Sequence, residues 1–175
     1  MTYAGHEILP HTATITSKLS IMKRLIQLLL LITVLPLYPT PNSDDILIAI
    51  SNIRSNFISS DTLEEGKSVL AFAEESDEVI LALSVSTIPW IEEEWLADKE
   101  MEGTLKNLIL IAYLAGNIQS QIQTKSSKDD PYSGWLLVCE GYEQLIEKRE
   151  FKSESIEKFI QLRNEGRLVD YANQL

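Results

Sequence analysis

Apolar residues recur at steps of three and four along most of the chain after residue 43, which predicts a series of amphipathic helices. The first predicted helix spans residues 44–59, with Ser43 and Asp44 as its caps, and the second spans residues 62–76. The longest begins at Thr104 and runs to about residue 124. Because this helix is apolar on most sides, we expect it at the centre of its domain.

A capping carboxylate followed by proline in the first turn favours a helix start, which predicts that a helix begins at Asp130 and Pro131. It spans residues 131–149, and one packing seam runs along it. The residues of the seam are Tyr132, Trp135, Cys139, Tyr142 and Ile146. Ser153 should cap a further helix, which Gly166 ends. The pattern as a whole predicts an all-α fold, a compact bundle of about five to seven helices.

Residues 79–86 break this pattern, because their apolar side chains alternate with a period of two, as in a β-strand. One strand cannot form a stable sheet by itself. The segment is therefore a buried helix, an extended connector, or an edge strand whose pairing partner the sequence does not show. Pro89 must end any helix that precedes it, because proline biases the residue before it away from helical geometry.

The N-terminal part has the pattern of an export signal. Lys23 and Arg24 precede an apolar run over residues 25–35, and a proline-rich stretch over residues 36–39 closes it. The run is shorter than the roughly 20 apolar residues that a membrane-spanning helix needs. We predict that residues 1–43 form an N-terminal extension and export signal, with Met22 favoured over Met1 as the start of translation. Residues 44–175 would then form a single helical domain in the periplasm or outside the cell.

Charge limits the partners of this domain. Residues 1–43 carry Lys18, Lys23 and Arg24 against Glu7, a net charge of +2, while the whole chain carries −11. The remainder therefore carries −13. Such a domain repels nucleic acid phosphates and anionic lipid head groups, and it suits a partner with a basic surface. We accordingly predict no nucleic acid partner and no stable membrane span once the signal is removed.

Residue types limit the chemistry further. The two histidines, His6 and His11, lie in the predicted leader, so the helical domain holds no imidazole for a Ser-His-Asp relay or for a His-ligated zinc ion. Cys139 is the only cysteine, so the chain forms no internal disulfide, and its spacing predicts a small buried group. The sequence predicts no cofactor and no metal.

The candidate binding site is an acidic strip in a predicted short helix over residues 90–97. It consists of Trp90, Glu92, Glu93, Glu94 and Trp95. The three carboxylates would dock a basic partner with a tryptophan as its anchor. Alternatively, they form a solvated face above two indoles of the core. The first reading predicts a non-enzymatic exported protein that binds another protein of the cell envelope, either an immunity-type inhibitor or an assembly subunit.

Two alternative functions remain open. Asp129, Asp130, Tyr132 and Glu140 are the candidates for a carboxylate-based hydrolase of cell-wall glycan, which would need two carboxylates about 5–10 Å apart in a cleft. Helix capping by itself also explains Asp130. In a small-molecule carrier, Gly116 and Gly134 would line a cavity between helices. The same glycines would equally permit a close approach of two helices.

Overall fold

The computed structural model describes residues 41–175, and the predicted export signal lies almost entirely outside them. This part of the chain folds into six α-helices and one 3-10 helix and contains no strand. The helices are α1 (Ser43–Ser55), α2 (Thr62–Glu75), the 3-10 helix (Pro89–Glu92), α3 (Lys99–Thr124), α4 (Pro131–Ile146), α5 (Glu154–Asn164) and α6 (Leu168–Ala172). The prediction of an all-α bundle is confirmed.

Two helix starts lie where the sequence places them. Asp130 caps α4 by accepting a hydrogen bond from the backbone N–H of Ser133 at 3.3 Å, with Pro131 in the first turn. Ser153 caps α5 by accepting from the backbone N–H of Ile156 at 3.3 Å. These starts are predictable because a cap requires only residues within one turn of each other.

Helix α3 starts at Lys99, five residues before the predicted start at Thr104. The Oδ1 atom of Asp98 accepts hydrogen bonds from the N–H groups of Glu100 and Met101, both at 3.1 Å. These bonds satisfy two of the N–H groups that a helix start leaves without a partner. The cap at Asp98 therefore adds a polar first turn to the apolar helix.

Helix α1 is capped by Asn42, where the prediction named Ser43 and Asp44. The side-chain oxygen of Asn42 accepts from the N–H of Asp45 at 3.0 Å, and its carbonyl accepts from the N–H of Ile46 at 3.1 Å. The start of the folded part thus overlaps the last two residues of the predicted leader.

Helix α3 lies at the centre of the bundle, where it packs along α4 and also contacts α1 and α2. Its middle part, from Ile109 to Ile118, is buried on every side. The largest fully buried side chains of the core are aromatic: Trp90, Trp135, Tyr113, Tyr142, Phe57, Phe72 and Phe159. The seam of α4 is buried at Trp135, Cys139 and Tyr142, whereas Ile146, where the helix ends, is 41% exposed.

Residues 90–97 do not form the predicted short helix. The 3-10 helix ends at Glu92, and residues 93–98 follow an irregular path to α3. Backbone groups of this stretch bond to side chains of α3: the carbonyl of Ile91 accepts from Lys106, and the N–H of Leu96 donates to Glu102. These bonds satisfy backbone groups that a helix over residues 90–97 would pair within itself.

None of the helices within residues 41–175 combines the length and the apolarity that crossing a lipid bilayer requires.

Candidate functional site

The two tryptophans of the predicted binding site belong to the core. The side chain of Trp90 is fully buried, edge-on to Tyr113 with ring centroids 6.0 Å apart and to Phe159 at 6.2 Å. Trp95 is 8% exposed, and its ring centroid lies 5.2 Å from that of Phe151. Neither indole is available as an exposed anchor in this conformation.

Glu93 connects the stretch of residues 92–98, here called the acidic loop, to the start of α5. Its carboxylate accepts hydrogen bonds from Ser153 Oγ at 2.6 Å, from Ser155 N–H at 2.8 Å, from Ser155 Oγ and from Trp95 Nε1 at 3.0 Å. Burial by itself would raise the pKa of Glu93, but these hydrogen bonds outweigh it and hold the pKa below its ordinary value. Glu93 is therefore an ionised structural group.

A buried ion pair between Lys106 and Glu102 connects the acidic loop to α3. Lys106 Nζ lies 2.8 Å from Glu102 Oε1, and the two side chains are only 5% and 7% exposed. The ammonium of Lys106 donates to the carbonyls of Ile91 and Glu93 and lies 5.4 Å from the centre of the Trp95 ring. One lysine therefore bonds to the backbone at both ends of the turn that leads into the loop.

Glu102 completes this support by accepting from the N–H of Leu96 at 3.3 Å and from Lys99 Nζ at 3.0 Å. Burial would raise the pKa of Glu102, but the hydrogen bonds from Lys106, Lys99 and Leu96 lower it to about 2. A buried ion pair contributes little net stability compared with apolar residues of the same volume. Its evident effect here is to hold the backbone of the loop in one position.

The charged side chains that the acidic loop presents to solvent are carboxylates. Glu92, Glu94, Asp98 and Glu100, on the loop and the first turn of α3, are exposed. The side chain of Glu94 is 85% exposed and lies 3.6 Å from Lys99. A contact of this kind between solvated groups leaves the carboxylate accessible to a partner.

The five predicted site residues are thus adjacent, with two distinct roles. Glu92 and Glu94 are exposed, while Trp90, Glu93 and Trp95 hold the loop on the core. Sequence reasoning missed the supporting pair of Glu102 and Lys106. The available signal was a Glu and a Lys four residues apart on the helix, with Lys106 between the apolar positions Leu105 and Ile109.

The carboxylates considered for hydrolysis make structural contacts. Asp129 Oδ1 accepts from the N–H of Ala82 at 3.0 Å and from Asn117 Nδ2 at 2.8 Å. Glu140 pairs with Arg54 at 2.8 Å, both side chains are partly exposed, and Tyr132 is half-buried. These contacts account for the carboxylates of Asp129 and Glu140 without a substrate.

Asp130 accepts from Ser120 Oγ and from Ser133 Oγ, both at 2.6 Å. Burial would raise the pKa of Asp130, but the hydrogen bonds from Ser120 and Ser133 outweigh it, and the pKa is lowered. A carboxyl group with a lowered pKa is ionised at neutral pH and does not serve as a proton donor.

The glycines considered for a carrier lie where α3 and α4 cross. A Cβ atom on Gly116 would clash with the carbonyl oxygen of Ser133, and one on Gly134 would lie 2.7 Å from Cδ2 of Tyr113. Close packing of the helix backbones, rather than room for a ligand, therefore explains both residues.

Cys139 is fully buried, as predicted, and burial raises the pKa of its thiol to about 12. It remains an unreactive thiol at neutral pH. Within residues 41–175, no three side chains of His, Cys, Asp or Glu are grouped as metal ligands.

Comparison of the chain with protein-family models, with curated proteins and with solved structures finds no match.

Proposed function

We propose that this chain is an exported, non-enzymatic binding protein whose acidic loop docks a basic surface of another protein in the cell envelope. An immunity-type inhibitor and a subunit of an envelope assembly are the two roles that this chemistry suits. The observation that carries the proposal is the construction of the loop. Irregular backbone is held in place on two sides, and exposed carboxylates project from it.

The support of the loop favours a binding role. Loops that a rigid scaffold positions are common binding sites, and a pre-ordered loop loses less conformational entropy when a partner binds. Glu93 fixes the loop to α5, and the pair of Glu102 and Lys106 fixes it to α3. Burying two charges for this purpose is costly, which indicates that the position of the loop matters.

The charge of the molecule favours a basic partner. Residues 44–175 carry −13, because residues 1–43 contribute +2 to the −11 of the whole chain. Complementary charge accelerates encounter and selects against partners of the same sign. Exposed Glu92 and Glu94 would pair with lysine or arginine side chains at the rim of such an interface.

The experiment compares two variants of equal charge change. Glu92→Lys with Glu94→Lys reverses the exposed carboxylates and leaves Glu93 in place, whereas Glu147→Lys with Asp170→Lys reverses two exposed carboxylates outside the acidic loop. Each protein, with an affinity tag, is used to capture partners from the cell envelope, and the captured proteins are identified by mass spectrometry.

We expect a basic protein that the wild type and the control variant capture and the loop variant does not. Equal capture by both variants would show that the acidic loop is not the binding site. Circular dichroism of both variants should match that of the wild type, since all four side chains are exposed.

A further inference from the structure

Residues 78–84, between α2 and the 3-10 helix, are neither helix nor strand, yet the hydrogen bonding of their backbone alternates strictly. The N–H of Ile80 donates to Gln121 Oε1 at 2.8 Å, and its carbonyl accepts from Gln121 Nε2 at 2.7 Å. The N–H of Ala82 donates to Asp129 Oδ1 at 3.0 Å, and its carbonyl accepts from Thr87 Oγ1 at 3.4 Å. Side chains of the domain therefore bond to these residues as a neighbouring strand would.

Glu78 and Ser84, on either side of Ile80 and Ala82, continue the pattern. The carbonyl of Glu78 accepts from Ser127 Oγ at 3.0 Å, and its N–H donates to Ser76 Oγ at 3.0 Å. The N–H of Ser84 donates to Thr87 Oγ1 at 2.9 Å, and its carbonyl accepts from the N–H of Thr87 at 3.0 Å. Every even-numbered residue from 78 to 84 is thus bonded through both of its backbone groups.

The odd-numbered residues between them are different. Within residues 41–175, no hydrogen bond involves the backbone N–H or carbonyl of Val79, Leu81 or Leu83. Val79 is buried, Leu81 is half-buried and Leu83 is 37% exposed. This alternation is that of extended backbone, in which successive residues direct these groups to opposite sides. The odd-numbered residues therefore form a free edge, which we call the 79–83 edge.

This edge lacks the lysine and proline that often keep free edges from pairing. Natural proteins protect exposed edges with lysine, proline, bulges or very short strands. Residues 79–86 contain no charge, no proline and no glycine, and Ile80 and Val85 are 56% and 40% exposed beside the edge. Unpaired backbone groups flanked by apolar side chains can accept a strand from another chain.

We propose that the 79–83 edge binds an extended segment of a partner protein as an added β-strand, and that this segment carries lysine or arginine at the end that lies beside Asp77 and Glu78. Glu74, Asp77 and Glu78 are exposed and precede the edge, so an antiparallel segment would place its C-terminal end near them. Basic residues there meet opposite charge.

A second copy of this chain is a poorer occupant than a basic segment. Each copy carries −13 in residues 44–175, so pairing two copies brings like charges together, whereas a basic segment reduces the local excess of negative charge. The 79–83 edge consists of different residues from the acidic loop. Its test is therefore independent of the proposed docking site.

The test uses the full-length chain and fluorescein-labelled peptides of about eight residues that alternate valine and threonine. One peptide carries two lysines at its C-terminal end, and a matched peptide carries two glutamates there. Fluorescence anisotropy should show saturable binding of the lysine peptide and at least about tenfold weaker binding of the glutamate peptide. Absence of saturable binding by the lysine peptide, or equal binding of both peptides, would overturn the proposal.

Position 83 provides matched variants. Leu83→Pro removes an N–H that has no acceptor among the described residues, and Leu83→Ala keeps that N–H while removing the same side chain. We expect Leu83→Pro to weaken binding of the lysine peptide about tenfold or more and Leu83→Ala to retain most of it. Equal affinities of the two variants would contradict backbone pairing.

Amide hydrogen exchange of the wild type, followed by NMR, gives a readout that needs no variant. In the free protein, the amides of Leu81 and Leu83 should exchange faster than those of Ile80 and Ala82, and the lysine peptide should slow exchange at Leu81 and Leu83 selectively.

Light scattering tests whether a second copy of the chain occupies the edge. A dimer of the wild type that Leu83→Pro converts to monomer would show that a second copy fills the edge, and it would overturn the proposal.

Discussion

The carboxylate of Glu93 accepts a hydrogen bond of 2.6 Å from the hydroxyl of Ser153, a residue 60 positions later in the chain. Ser153 also caps α5 through the same oxygen, which accepts from the N–H of Ile156. One serine hydroxyl therefore connects the acidic loop to the start of a helix. The position of the loop depends on the tertiary structure rather than on its own sequence.

Glu93→Gln should destabilise the protein by about 1–2 kcal/mol at pH 7, because a neutral amide replaces an ionised acceptor of several hydrogen bonds. The pKa of Glu93 is lowered in the folded state, so the stability it contributes is present above the unfolded pKa of about 4.5. That contribution is lost as the pH falls through the lower folded pKa. Urea unfolding at several pH values measures the difference between wild type and variant.

Glu92→Gln with Glu94→Gln is the matched control for this measurement, because both side chains are exposed and neighbour Glu93 in sequence. We expect it to change the free energy of unfolding by less than about 0.5 kcal/mol. A Glu93→Gln variant as stable as this control would show that the bonds to Ser153 and Ser155 do not hold the loop.

Glu102→Gln should lower the free energy of unfolding by more than Glu93→Gln does, about 3–5 kcal/mol at pH 7. It leaves the charge of Lys106 buried without its partner. The folded pKa of Glu102 is about 2 and therefore below the unfolded value, so its contribution is present above about pH 4.5 and declines toward pH 2. The stability difference between wild type and Glu102→Gln should shrink over that interval. If this stability difference stays constant from about pH 5 to about pH 2, the ion pair is not its cause.

The double variant Glu102→Met with Lys106→Met separates charge from packing. Replacing both partners leaves no isolated charge, so we expect it to be more stable than Glu102→Gln. The backbone carbonyls of Ile91 and Glu93 lose their donor, and amide exchange at Leu96 should accelerate. If the double variant is less stable than Glu102→Gln, the pair acts mainly through its bonds to the loop.

Gly116→Ala should destabilise the protein by about 3 kcal/mol, because its new Cβ atom meets the backbone of α4 at Ser133, which cannot move without shifting the helix. Gly103→Ala is the matched control on the same helix. No atom lies within 4 Å of a Cβ at that position, so alanine should stabilise α3 by up to about 1 kcal/mol. Thermal unfolding of the two variants should therefore shift in opposite directions, and equal shifts would exclude a close crossing at Gly116.

Under the proposed export, Asn42 predicts where the chain is processed. Its side chain caps α1, and the neighbouring Ser43 donates to Glu78 at 2.7 Å, so cleavage should occur before residue 42. The intact mass of protein recovered from outside the cytoplasm should correspond to a chain that retains Asn42. A mature chain beginning after residue 42 would contradict this, and unprocessed protein confined to the cytosol would contradict export. Asn42→Ala should lower stability by about 1 kcal/mol.

Local patterns predicted much of the fold. The starts of α4 at Pro131 and of α5 after Ser153, the buried seam through Trp135 and Tyr142, and the all-α class follow from spacing within one or two helical turns. The predictions of a helix over residues 90–97 and of a buried Ile146 were wrong. Side chains of α3 bond to backbone groups of residues 91–96, and α4 ends at Ile146.

The sequence by itself determined that the chain is acidic, that a helical domain follows an apolar leader-like segment, and that residues 79–86 have the periodicity of a strand. Only the tertiary structure decided that Trp90 and Trp95 face the core, that Glu93 supports the loop from which Glu92 and Glu94 project, and that Gln121 bonds to one side of residues 78–84. Helical periodicity reports neighbours within a few residues. A hydrogen bond between a side chain and backbone 41 or 60 residues away depends on how the helices pack, and no local pattern records it.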